Sequence, residues 1–139
     1  MAGYSKTPLV KKLGIKPGTN ITFAGAPSGY TNELDLPPDV TVNARSSRPL
    51  DFAQLFVKSE KELKAKFSRY AQRLNASGML WVSWPKKSSG VFTDLSENKV
   101  RAIGLGAGLV DVKICAVNEV WSGLKFVYRL KDRPSVKPR

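Results

Sequence analysis

The sequence predicts an α/β domain of three layers, built on a mostly parallel sheet of about six strands that ends in an antiparallel hairpin. Three observations lead to this prediction. Helix and strand patterns alternate along the 139 residues, one strand pattern is apolar on both of its faces, and two strand patterns near the end flank a short turn. Alternating elements imply right-handed crossovers, which place helices on both faces of a parallel sheet.

The strongest helix signal begins at Ser59. Ser59 and Glu62 have the spacing of a capping box, in which each side chain accepts a hydrogen bond from a backbone N–H near the start of the helix. The apolar side chains that follow recur at helical spacing; they are Leu63, Phe67, Tyr70 and Leu74. The pattern predicts a helix that ends before Gly78.

Two further segments carry weaker helix signals. The first has Thr7 as a possible N-cap, a proline at the first helical position and Gly14 as its stop. The second covers about 96–103, where Asp94 and Ser96 are both possible N-caps.

The strand patterns are short apolar runs bounded by turn residues. They cover 21–24, 40–43, 52–57, 79–84, 110–117 and 120–130. The fourth run is apolar at both odd and even positions, which indicates a strand covered on both faces. The last two runs flank Asn118 and Glu119 and predict the hairpin, and Gly123 suggests a bulge in its second strand.

The chain is strongly basic, with 23 Lys and Arg residues against 11 Asp and Glu residues and a net charge of +12. Such a field attracts phosphates, nucleic acid or an anionic membrane surface, and it bears on partners rather than on fold. A basic protein without a dedicated anionic partner is the alternative interpretation.

Several classes of site are excluded by composition. The chain has no histidine, the commonest general acid or base, and its single cysteine allows neither an internal disulfide nor a cysteine-based zinc site. The loop PKKSSG does not have the glycine spacing of a phosphate-binding loop. The residues therefore predict no catalytic machinery and no metal site.

Residues 1–130 are expected to form one domain, and the basic segment 131–139 is expected to be a flexible tail. No segment approaches the roughly 20 apolar residues that span a bilayer. A cytoplasmic protein without a membrane span is the expectation.

Three segments resemble parts of a shortened S-adenosylmethionine-dependent methyltransferase fold, which is Rossmann-like. They are LVKKLGIKPGTNITFAGAP, LDFAQLFVKSEKELKAKFSRYAQRLNASGMLWVSWPK and VDVKICAVNEVWSGLKFVYRL. More closely, the chain to about Leu130 resembles a family of small bacterial proteins that is classed as a domain of unknown function. The segments GYSKTPLVKKLGIKPG, LWVSWPKKSSGVFTDLSE and LVDVKICAVNEVWSGLKFV carry that likeness, which implies a fold but no activity.

The sequence departs from the methyltransferase pattern at two places. That pattern implies a GxGxG-type loop after the first strand, whereas the loop here is AGAPSGY, in which Gly25 and Gly29 are differently spaced and Pro27 lacks a donor. An acidic residue is implied at the end of the second strand, where this chain offers Arg45 and Arg48. We therefore expect no cofactor, with S-adenosylmethionine as the alternative.

Ligands of open α/β sheets bind beyond the carboxyl ends of the strands. The residues expected at that edge are Gly25, Gly29, Tyr30, Arg45, Arg48, Lys58, Ser59, Trp84, Lys86, Lys87 and Ser88. The sequence predicts that their positive charges converge there, together with the N-termini of the helices that begin near Ser59 and Ser96.

Three functions follow as hypotheses. The leading one is a non-catalytic protein that binds an anionic, phosphate-bearing ligand or nucleic acid at this basic edge. The second is a divergent S-adenosylmethionine-dependent methyltransferase acting on a small substrate. The third is an interaction subunit or homodimer that pairs through the edge of the hairpin.

Overall fold

The structure is a computed structural model that describes residues 7–43 and 48–129. Its helices are α1 (Leu9–Leu13), α2 (Tyr30–Glu33), α3 (Glu60–Ala71) and α4 (Glu97–Gly106), and a 3-10 turn covers Lys87–Ser89. Its strands are β1 (Asn20–Ala24), β2 (Thr41–Val42), β3 (Leu50–Phe56), β4 (Leu74–Pro85), β5 (Leu109–Ala116) and β6 (Trp121–Tyr128). The segment 131–139, expected to be a tail, lies outside the described residues.

The described residues form one six-stranded sheet in the order β2-β1-β3-β4-β6-β5. Strands β1 to β4 pair in parallel, whereas β6 pairs antiparallel with both β4 and β5. The predicted fold class is confirmed, including the closing hairpin. No helix in the described ranges is long and apolar enough to cross a membrane.

The sheet separates two hydrophobic cores. One lies under α3 and α4 and contains Leu80 and Val82 of β4; the other lies under α1 and α2 and contains Trp81. Strand β4 therefore buries side chains on both faces, as its sequence predicted. The indole Nε1 of Trp81 donates a hydrogen bond of 2.9 Å to the carbonyl oxygen of Leu13, which attaches α1 to the middle of the sheet.

Helix α3 begins as its capping box predicts. Ser59 Oγ accepts a hydrogen bond from the Glu62 N–H at 3.1 Å, and Glu62 Oε1 accepts one from the Lys58 N–H at 3.0 Å. The predicted end is wrong. The helix stops at Ala71, and Leu74 begins β4, because its side chain belongs to the core between the sheet and α3.

The first helix is shorter than predicted. It starts at Leu9, with Pro8 at the N-cap position and no side-chain cap, so Thr7 is not its N-cap. Gly14 ends it as predicted, with a φ of 84° that favours glycine.

The hairpin contains a bulge in β5, whereas Gly123 had suggested a bulge in β6. The register between β5 and β6 shifts between Asp111 and Lys113, so the extra residue is Val112. Gly123 has a different role: a Cβ there would lie 3.1 Å from the Trp81 ring, so the glycine lets β6 pass close to this buried indole. A bulge on an edge strand hinders pairing with another strand.

Candidate anion-binding site

A cleft of about 430 Å³ lies beyond the carboxyl end of β4. It is bounded by the end of β4, the start of α4 and the facing hairpin. The lining residues are Trp84, Pro85, Lys86, Lys87, Leu95, Ser96, Glu97, Asn98, Ile114 and Ser122. This is the edge at which the fold class places ligands, and the structure brings together there three of the predicted site residues, Trp84, Lys86 and Lys87.

The loop that leaves β4 is held at its first residue. The Lys86 N–H donates a hydrogen bond of 2.7 Å to the Val120 carbonyl oxygen on the hairpin. Ser89 Oγ then donates to the Lys86 carbonyl oxygen at 2.7 Å, closing the 3-10 turn. Ser88 lies exposed within this turn and does not line the cleft.

Ser96 is the N-cap of α4. Its Oγ accepts a hydrogen bond from the Lys99 N–H at 3.2 Å, which decides between the two candidates that the sequence left open. Asp94 instead reaches α3, where its Oδ1 accepts a hydrogen bond of 2.8 Å from the Glu60 N–H. The N-terminus of α3, expected to attract an external anion near Ser59, is thus already bonded to a carboxylate of the same chain.

The carboxylates around the loop are engaged by the protein itself. Three of them form ion pairs along their own helices, as Glu60–Lys64, Glu62–Lys66 and Glu97–Arg101. Among the described residues, no ion pair is formed by Lys58, Lys86 or Lys87. Lys58 and Lys87 are exposed. The positive charge of this edge is therefore left to act on an external anion.

Trp84 is buried, with 5% of its surface exposed, and belongs to the core under α3 and α4. Its contribution to the cleft is an apolar wall. Lys58 lies one residue beyond the buried Val57 at the end of β3, where its carbonyl oxygen accepts a hydrogen bond of 2.6 Å from Thr93 Oγ1. This bond brings the loop after the 3-10 turn alongside the end of β3.

The predicted convergence is wrong for Arg48. Arg48 is exposed and lies two residues before β3, at the amino end of a strand that runs parallel to β1 and β4. Arg48 therefore lies at the opposite edge of the sheet from the cleft. Arg45 lies outside the described residues.

The loop after β1 is shaped by the protein's own packing. Gly25 has a φ of 73°, and a Cβ there would lie 2.8 Å from the Phe56 carbonyl oxygen, so β3 occupies the space that this glycine leaves. Gly29 has a φ of 82° at the N-cap of α2, and a Cβ there would meet no atom within 4 Å. Both glycines are therefore explained by the positive φ that the backbone adopts at their positions.

Tyr30 is buried in the core under α1 and α2. Its hydroxyl donates a hydrogen bond of 2.8 Å to Gln54 Oε1, and Gln54 Nε2 donates to Ser83 Oγ at 3.0 Å. The Tyr30 ring meets the Phe56 ring edge-to-face, with centroids 4.8 Å apart. Burial raises the pKa of the Tyr30 phenol well above its ordinary value. Tyr30 is thus a core residue rather than a lining residue of the cleft.

Sequence reasoning missed Phe92, whose side chain is 86% exposed between the 3-10 turn and α4. The segment SGVFT held a usable signal, because this aromatic belongs to no strand or helix pattern and follows a Gly/Ser turn.

A metal site would need a group of three or more His, Cys, Asp or Glu side chains placed close together. No such group occurs in the ranges that the structure covers.

No family model matches the chain, and no curated protein matches it in sequence. The resemblance to the bacterial family of unknown function is therefore not confirmed. Solved structures do match. Magnesium protoporphyrin IX methyltransferase from Synechocystis PCC 6803 with bound S-adenosylmethionine has a TM-score of 0.58 at 14% identity, covering 87% of this chain and 74% of that one.

Two other structures show the same likeness. Precorrin-6y C5,15-methyltransferase from Geobacter metallireducens GS-15 has a TM-score of 0.58 at 9% identity, covering 87% of this chain and 86% of that one. A methyltransferase from Aquifex aeolicus that depends on S-adenosylmethionine has a TM-score of 0.55 at 13% identity, with coverages of 85% and 86%. This chain has a methyltransferase-like fold. Identities this low establish the fold and leave the activity open.

The residues after β1 and β2 do not fit S-adenosylmethionine in the manner that the fold implies. The backbone of β3 lies against Gly25, where the cofactor loop would approach its ligand. Strand β2 is followed by Asn43, whose Oδ1 accepts a hydrogen bond of 3.1 Å from Thr22 Oγ1. No carboxylate follows β2 within the described residues up to the gap at 44–47.

Proposed function

We propose that this protein is a non-catalytic binding protein that takes a phosphate-bearing ligand at the carboxyl edge of its sheet. The observation that supports this most directly is the cleft at the end of β4, where Lys86 and Lys87 lie beside the start of α4. Within the described ranges, neither lysine has a carboxylate partner. Phosphate oxygens accept charge-assisted hydrogen bonds from lysine ammonium groups and backbone N–H groups at helix N-termini.

Calorimetric titration with inorganic pyrophosphate tests the proposal. We expect the double variant Lys86→Gln/Lys87→Gln to bind pyrophosphate at least about tenfold more weakly, because the loss of even one charge-assisted contact costs about 1.4 kcal/mol or more. The matched control is Lys11→Gln/Lys61→Gln, which removes two exposed lysines from α1 and α3 and leaves the same net charge.

Equal affinities of the two double variants would mean that net charge, rather than this cleft, attracts the anion. The affinity of the unmodified protein should also fall as the salt concentration rises, because salt screens these contacts. The proposal would be refuted if pyrophosphate did not bind to the protein even at low salt.

A methyltransferase is the second candidate, supported by the fold of the solved structures. Because the backbone of β3 packs against Gly25, we expect neither S-adenosylmethionine nor S-adenosylhomocysteine to raise the melting temperature of the protein. A saturable increase with either compound would favour the methyltransferase over the binding protein.

A further inference from the structure

We propose that the partner at this edge is single-stranded nucleic acid, with a base stacked on Phe92 and phosphates on the lysines of the flanking segments. This inference rests on the proposed function, because it names the ligand class of the same edge. It starts from the side chain of Phe92, which is 86% exposed. The other large apolar side chains that are exposed in the described ranges are aliphatic; they are Val42, Leu105, Val112 and Ile114.

The backbone on both sides of Phe92 is fixed by hydrogen bonds. Before it, the Val91 N–H donates to Ser89 Oγ at 3.1 Å. After it, Thr93 Oγ1 donates to the Lys58 carbonyl oxygen at 2.6 Å and accepts from the Leu95 N–H at 3.1 Å. The aromatic ring is therefore carried into solvent by an ordered loop, so little conformational entropy is lost when a ligand stacks on it.

Three lysines belong to the segments that adjoin Phe92. Lys86 and Lys87 begin the same loop, and Lys58 is joined to it through Thr93. Non-sequence-specific binders of single strands combine exposed aromatic rings, on which bases stack, with cationic groups that follow the backbone phosphates. Phe92 and these three lysines provide both components within one loop and the adjacent end of β3.

Two other anionic partners fit less well. The only apolar neighbour of Phe92 in the segment 88–93 is the half-buried Val91, and the other residues are Ser88, Ser89, Gly90 and Thr93. Membrane-binding surfaces, in contrast, bury a wide apolar face in the lipid. Duplex nucleic acid has its base faces already stacked inside the helix, so it would engage the lysines without engaging Phe92.

The test uses the full chain and a fluorescent oligodeoxythymidylate of about twelve nucleotides. We expect Phe92→Leu to weaken oligonucleotide binding at least about fivefold, since stacking of one base is worth about 1 kcal/mol or more. The same variant should bind pyrophosphate as the unmodified protein does. Val112→Ala, which also shortens an exposed apolar side chain, is the matched control and should change neither affinity.

The outcomes separate the two proposals. If Lys86→Gln/Lys87→Gln weakens binding of the oligonucleotide and of pyrophosphate while Phe92→Leu changes neither, the anion site stands and the nucleic-acid inference falls. If neither probe binds, both fall. Equal affinity for the single strand and for its duplex would overturn the inference, as would Phe92-dependent binding to vesicles of phosphatidylcholine and phosphatidylserine without oligonucleotide binding.

Discussion

The carboxylate of Asp94 accepts a hydrogen bond of 2.8 Å from the backbone N–H of Glu60, so the loop before α4 caps the helix that follows β3. This contact joins two connections at the same edge of the sheet. We expect Asp94→Ala to lower the free energy of unfolding by about 1 kcal/mol, because an N–H at the start of α3 loses its acceptor and its nearby negative charge. Urea denaturation measures the loss.

Asp35→Ala is the control for Asp94→Ala, since Asp35 is an exposed carboxylate on the α1 side with no ion pair among the described residues. It removes the same charge from a basic protein without breaking the bond to α3. Equal effects of the two substitutions would show that the Asp94–Glu60 contact does not stabilise the fold.

Two glycines of α4 should respond oppositely to alanine. A Cβ at Gly104 would lie 2.0 Å from Cε1 of the buried Phe126 ring, whereas one at Gly106 would meet no atom within 4 Å. We expect Gly104→Ala to destabilise the protein by about 1–3 kcal/mol through overpacking. Gly106→Ala should be neutral or stabilise it by up to about 1 kcal/mol through helix propensity. Thermal unfolding of both variants checks the sign of each effect, and a stabilising Gly104→Ala would contradict the packing of α4 on β6.

A cross-strand pair of like charges lies on the hairpin, where Lys113 of β5 faces Lys125 of β6. Burial is the main cause that lowers the pKa of Lys125, and the positive charges of Lys113 and Lys16 lower it further. We expect Lys125→Met to raise the free energy of unfolding by a few tenths of a kcal/mol at neutral pH, because the half-buried ammonium and its like-charge neighbour are removed while solvent screens part of the repulsion.

The pH dependence of this gain has a definite sign. Lys125 has a lower pKa in the folded protein than its ordinary value of 10.5, so between these two pKa values the unfolded chain binds more protons. Stability of the unmodified protein then rises with pH in that window. The advantage of Lys125→Met should therefore shrink as the pH approaches 10.5. Exposed Lys61→Met serves as the control, and an advantage that grows with pH would contradict this prediction.

The parts of the fold that the sequence predicted depend on local patterns. The capping box of Ser59 and Glu62 and the doubly apolar run around Trp81 each lie within a few residues, and both are found where predicted. The path of a connection is not a local property. Arg48 was expected at the carboxyl edge, yet it lies just before the amino end of β3, which is parallel to β1.

In the candidate site, too, the sequence predicted local features but not contacts between distant segments. Lys86 and Lys87 were predicted because they follow a strand directly, and they line the cleft. The partner of Asp94 is 34 positions away in sequence, so a single stretch of sequence does not reveal that this carboxylate closes the start of α3. The bulge at Val112 likewise depends on the register between β5 and β6, whereas Gly123 offered a plausible but different local signal.

The buried hydrogen bonds that join Tyr30, Gln54 and Ser83 predict a change in both stability and its pH dependence. Tyr30→Phe leaves Gln54 Oε1 buried without its donor, so we expect the free energy of unfolding to fall by about 1–3 kcal/mol at neutral pH.

The pKa of Tyr30 is raised in the folded protein from its ordinary value of 10.0. Above pH 10.0, the unfolded chain therefore loses a proton that the folded protein retains, and the stability of the unmodified protein falls with pH. Because phenylalanine does not titrate, the deficit of Tyr30→Phe should narrow above that pH. Denaturant unfolding at neutral and alkaline pH measures both effects, and a deficit that widens at alkaline pH would contradict a raised pKa of the buried phenol.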